Sequence, residues 1–175
     1  SSVKLEGQIG IRPSYISNKR NGQLAREIKR LRSISGEAPI RSRQHYLKLS
    51  MPKTYRSLLQ NGIEHDYTMG YPTRLGFRAS TCTPFLFFDL LDNKVTSLTI
   101  HPFAVMDVTL RMYNNLRSTE AVRKIKKLMD STAEVGGTFI SIWHNESLSD
   151  VHPWVGWRDV YVEMTEWAAK LQNEA

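Results

Sequence analysis

The sequence predicts an α/β domain whose strands run mainly parallel. Three observations carry that expectation. Short apolar runs alternate with stretches of helical spacing along the chain, as in strand–helix repeats. Gly36, Pro52 and Gly62 fall where one pattern gives way to the next. At 175 residues the chain suffices for one domain with a sizeable core, so a single domain over 1–175 is expected.

Each element follows from its local pattern. "GQIGI" (7–11) reads as a strand. Leu24, Ile28 and Leu31 lie at helical spacing, predicting a helix over about 21–35 that ends at Gly36. "API" (38–40) begins a short strand running towards Arg43. After Pro52, "KTYRSLLQNG" has helical spacing and closes on Gly62. "HDYTMGY" (65–71) fits a short strand and a turn. "FLFFDLL" (85–91) and "VTSLTIHPF" (95–103) read as two strands around Asp92 and Asn93. Helices are expected over about 105–115 and 119–134, the second with Val122, Ile125 and Leu128 on one face. A strand over 138–143 and a last helix over about 157–172 complete the set.

Composition narrows the function classes. With 41% hydrophobic and 23% charged residues, the chain has an ordinary globular balance. No apolar run approaches the ~20 residues that span a bilayer, and no signal peptide opens the sequence. The lone Cys82 allows no internal disulfide and reads as a buried bystander. A reducing, cytoplasmic setting is the expectation. The net charge of +7 gathers in 19–33 and 123–127. Both stretches keep their apolar residues at helical spacing, so the charges read as solvated helix faces. Neither interleaves aromatics with the basic residues, which argues against nucleic acid as partner.

Parallel strands place their C-terminal ends on one side, where α/β folds build their sites. The residues after each predicted strand are Arg12, Ser14 and Ser17; Arg43, Gln44, His45 and Tyr46; Asp66; His101; and His144 with Glu146. One rim would collect these groups. His144 is the strongest candidate, because "ISIWHNES" (140–147) ends a buried-looking strand in four polar residues, which is costly without a use. His45 and His101 read as structural imidazoles, and His65 and His152 as surface residues. No His-Glu-x-x-His, Cys-x-x-Cys or Gly-rich phosphate loop is present. The residues alone lead to an α/β domain with a hydrolytic site.

Several strings carry a resemblance: "RPSYIS", "SRQHYLKL", "DYTMGYPTRLGFRAS", "LTIHPFAVMDVTL" and "GGTFISIWHNESLSD". Together they resemble the C-terminal portion of NodB-type polysaccharide deacetylases. The resemblance implies a distorted, incomplete (β/α) barrel of mainly parallel strands. It further implies removal of acetyl groups from an N-acetylated oligo- or polysaccharide by a metal-bound water, the metal being zinc. On that resemblance His144 matches the acid that protonates the leaving amine. Arg43 matches the arginine that orients the base, and Tyr46 the residue whose N–H holds the oxyanion. Asp66 is the candidate for the carboxylate that tunes the acid. Tyr67, Arg78 and Glu146 are the expected substrate contacts.

Two departures bear on activity. Arg12 stands where relatives have a metal-binding histidine, and a guanidinium cannot coordinate a cation. Ser17 matches the second ligand position, but a hydroxyl alone is a poor zinc ligand. The family's aspartate pair, which supplies the base and a ligand, would lie upstream of residue 1. The sequence therefore reads as a barrel lacking its first strands, inactive alone, with an open edge at 7–12 through which copies could associate. The competing reading is a glycan-binding module without catalysis, in which Tyr15, Tyr46, Tyr67, Tyr71, Trp143, Trp154 or Trp157 stack on sugar rings.

Overall fold

The computed structural model describes residues 9–173. The chain forms an α/β structure in two compact units. The first comprises the residues up to Thr68 together with Phe85–His101, and the second Met69–Pro84 with Pro102 onward.

The first unit carries a four-stranded sheet in the order β1-β2-β4-β3. Its strands are β1 (Arg41–Ser42), β2 (His65–Asp66), β3 (Phe85–Asp89) and β4 (Lys94–Ile100). β1, β2 and β4 run parallel, and β3 returns antiparallel to β4 through the expected turn. Ile11 bridges Ser42 in parallel, beside β1. Residues 7 and 8 of the predicted first strand lie outside the described residues. Helix α1 (Gln23–Ser35) stops at Gly36, whose φ of 84° is the left-handed cap its N–H needs to reach the Arg32 carbonyl. Helix α2 (Lys53–Gln60) follows Pro52 as the spacing indicates. Ile11, Leu24, Tyr55, Leu58, Leu98 and Ile100 are buried and form this unit's apolar interior.

The second unit pairs two short parallel strands, β5 (Val105–Met106) and β6 (Ser141–Ile142). Helices α3 (Ser118–Glu134) and α4 (Trp157–Asn173) complete it. Val105, Leu110, Ile125, Met129, Trp154, Trp157, Val160 and Met164 make its core. Neither sheet closes into a barrel among the described residues. No described helix is long and apolar enough to cross a membrane.

Two expectations need correction. The helix expected over about 105–115 begins two residues later, because Val105 and Met106 are strand residues; the helical segment is short and turns π-type at Thr109–Tyr113. A short, fully buried apolar run has no periodicity that separates strand from helix. The strand expected over 138–143 contains only two ladder residues, Ser141 and Ile142.

Gly70 shows how tightly the second unit packs. A Cβ there would lie 2.1, 2.3 and 2.4 Å from carbons of the Phe103 ring, which is itself 1% exposed. Gly70→Ala is therefore expected to lower stability by about 1–3 kcal/mol, read as a lower urea midpoint. An unchanged midpoint would mean that the ring has room to move.

Candidate functional site

In the second unit the chemistry gathers where β5 and β6 end. Val105 pairs with Ser141 and Met106 with Ile142; Asp107 follows its strand directly, and His144 lies two residues past Ile142, where hydrogen bonds join the two. Asp107 is 0% exposed and its carboxylate is fully engaged. Oδ1 accepts from the Val108 N–H at 2.7 Å and faces His144 Nδ1 at 2.8 Å. Oδ2 accepts from the His144 N–H at 2.6 Å and from the Ser147 hydroxyl at 2.5 Å. Because an ionised carboxylate only accepts, it calls for a proton on Nδ1, leaving Nε2 as the nitrogen that gives or takes one. The imidazole is 27% exposed and so reaches solvent. This is a histidine of fixed orientation and tautomer. Just beyond it, Glu146 accepts from the Trp154 indole N–H at 3.2 Å.

The first unit presents a different surface. Ile11 is in register with Ser42, Ser42 with Asp66, and Asp66 with Ile100; their side chains share the face towards the apolar interior. The alternate residues take the opposite face. Arg41, His65 and Thr99 form one row on it, and Arg12, Arg43, Tyr67 and His101 the next row, at the strand ends. His65 Nδ1 lies 3.0 Å from His101 Nε2, and the Tyr67 ring stacks on His101 with centroids 4.4 Å apart. A cleft of about 400 Å³ opens here, lined by Gly10, Arg12, Arg41, Arg43 and Tyr67 among others. Burial pushes the His101 imidazole below its usual value, helped by the charges of His65 and Arg41.

Asp66 is completely buried on the interior face. Its oxygens accept from the Thr68 N–H at 3.0 Å and the Thr68 hydroxyl at 2.8 Å. Desolvation raises its carboxyl to about 7, against opposing hydrogen bonds from Thr68 and Ser42. Beyond β1, Tyr46 and Leu47 adopt left-handed backbones, with φ of 55° and 52°. Such conformations cost of order 1–3 kcal/mol each and cluster at functional sites. The Tyr46 ring is 74% exposed and meets Tyr15 edge-on at 5.8 Å.

Arg12, Ser17, Arg43, Tyr46, Asp66 and Tyr67 belong to the first unit, and Arg78, His144 and Glu146 to the second. Several sequence-based roles change. The carboxylate on His144 is Asp107, which sequence reasoning passed over; Asp66 is held by Thr68 instead. Asp66 and Arg43 also sit on opposite faces of their sheet. His65 is a strand residue bonded to His101, not a surface turn. Trp154 and Trp157, offered as sugar platforms, are core residues at 4% and 3% exposure. Arg78 is exposed. Ser17 lines a separate groove with Pro52, Thr54 and Ser57, away from the Arg12 cleft.

These donors do not suit zinc. Arg12 cannot ligate and its charge opposes a cation, and Ser17 faces elsewhere. Among the described residues no three His, Cys, Asp or Glu side chains gather around a common point. Comparison with protein-family models finds none that matches the chain, and comparison with curated proteins likewise finds no match.

Proposed function

We propose that the chain is a carbohydrate N-deacetylase-like domain, with the barrel of the NodB-type polysaccharide deacetylases as its fold. The observation that carries the proposal is the Asp107–His144 pair at the ends of two parallel strands. Hydrolysis of an N-acetyl group adds water to the acetyl carbon and then breaks the C–N bond. The departing nitrogen needs a proton, and an imidazole with Nδ1 held by a carboxylate can deliver one from Nε2. Asp107 keeps the ring in place. The family's base motif has no counterpart among the described residues, none of which ends a strand as an aspartate pair. The described residues thus supply the acid half of the reaction.

A second reading is a glycan-binding module that performs no catalysis. Arg12 at the metal-ligand position and the exposed Tyr15 and Tyr46 rings favour it. Acetate release from an N-acetylated oligosaccharide by the natural full-length protein separates the two. His144→Ala is expected to reduce release by about a hundredfold or more, with little change in binding. Binding without measurable release by the unaltered protein would leave the module reading standing. Release that survives His144→Ala would remove His144 from the chemistry.

A further inference from the structure

The face of the first unit's sheet opposite Asp66 holds an arrangement that deacetylation does not require. Arg12 and Arg43 are neighbours in the row at the strand ends, and Arg41 lies one row below. All three line the same cleft, whose lining contains no Asp or Glu. Among the described residues neither Arg12 nor Arg41 enters an ion pair with a carboxylate. The charge of Arg12 acts on His45, and that of Arg41 on His101. Gly10 leaves the floor open, since a Cβ there would come within 3.3 Å of the Arg41 Cβ and carbonyl oxygen. Parallel sheets usually bury both faces under apolar side chains. Here one face concentrates guanidinium groups without an acidic counterpart in its cleft.

We propose that this cleft is an oxyanion site, taking the carboxylate, sulfate or phosphate of an acidic saccharide. Guanidinium forks match such groups with paired N–H donors. The anion supplies a counter-charge to Arg12 and Arg41. Tyr67 and the exposed Tyr46 beyond the same strand offer apolar ring surface for the rest of the ligand. The saccharide part rests on the carbohydrate reading above; the oxyanion part rests on the arginines alone. The same charge that excludes zinc from the Arg12 position is what the anion uses.

Calorimetric titration of the chain with inorganic phosphate, with glucuronate, with neutral N-acetylglucosamine and with zinc tests this. Phosphate and glucuronate should bind in the millimolar range or tighter, and zinc should not bind at the cleft. The Arg12→Gln/Arg41→Gln variant should lose about tenfold or more in anion affinity, whereas Lys127→Gln on α3 should lose none. Arg12→Lys/Arg41→Lys, which keeps the charge and removes the forks, should fall between, and its thermal melt confirms folding independently of binding. Stronger response to glucuronate than to phosphate identifies a uronate ligand, and the reverse order an ester phosphate or sulfate. No anion binding in the millimolar range, or binding indifferent to both arginine variants, overturns the proposal. If anions bind but N-acetylated oligosaccharide neither binds nor is cleaved, the oxyanion site stands and the deacetylase reading falls. If oligosaccharide is cleaved and no anion binds, the reverse holds.

Discussion

Asp107→Ala is expected to destabilise the second unit by about 3–5 kcal/mol, the cost of removing one partner from a buried charged network. The size follows from what the carboxylate satisfies. Two backbone N–H groups, the Ser147 hydroxyl and His144 Nδ1 all point at its two oxygens. Asp107 and Ser147 are both completely buried, so water cannot simply replace what the carboxylate provides. Alanine would strand these donors. Asp107→Asn keeps the volume but turns one oxygen into an N–H₂ facing donors, so a smaller loss of about 1–3 kcal/mol is expected. Ser147→Ala removes a single donor, and its hydroxyl also lies 2.7 Å from the His144 carbonyl, so it should cost about 1 kcal/mol. Urea unfolding at constant pH reads all three. An Asp107→Ala protein within about 1 kcal/mol of the parent would show that the network contributes little.

Asp66 should make stability fall as pH rises. Its carboxyl titrates near 3.8 when unfolded and near 7 when folded, raised chiefly by burial. Between those values the folded chain holds a proton that the unfolded chain has lost, so the unfolded state binds fewer protons and rising pH favours unfolding. The contribution is fully present below the unfolded value and is lost as pH climbs through the folded one. Over the whole window it amounts to roughly 4 kcal/mol. His101 and His45 work against it, because burial lowers both and their charged forms destabilise the fold as pH drops through the imidazole range. Comparison with Asp66→Asn isolates the carboxyl. Unfolding free energies between about pH 4 and pH 8 should slope downward for the parent relative to Asp66→Asn. Parallel profiles would mean that Asp66 is ionised in the folded chain throughout.

The helices were legible because their causes are local. Leu24, Ile28 and Leu31 repeat at helical spacing, and Gly36 supplies a left-handed cap within the same stretch. Pro52 and Gly62 bracket α2 in the same way, and α3 and α4 begin and end within a residue of the positions their apolar stripes indicate. The β3–β4 pair was equally plain, its turn at Asp92 and Asn93 lying between two apolar runs. His144 stood out through the mismatch of polar groups following a buried strand. The same reasoning applied to "AVMDVTL" would have found Asp107, an acidic residue inside an apolar run. The expectation of a helix there hid it, since a helix can turn an aspartate to solvent.

Which residues meet is another matter, because pairing spans distances along the chain that no local pattern encodes. Asp107 and His144 are 37 residues apart, as are Trp167 and Asp130; His65 and His101 are separated by 36. Apolar periodicity says that a strand exists, but its register is chosen by the neighbour it pairs with. That register put Asp66 inwards and Arg43 outwards, separating two residues that sequence position alone had grouped at one rim. It kept Arg12 and Arg43 together at the strand ends, as expected, and added Arg41 to the same cleft. Local hydrogen bonding and side-chain spacing set the elements; long-range strand pairing and burial decided which polar groups stayed solvated, which lost water, and which carboxylate came to hold His144.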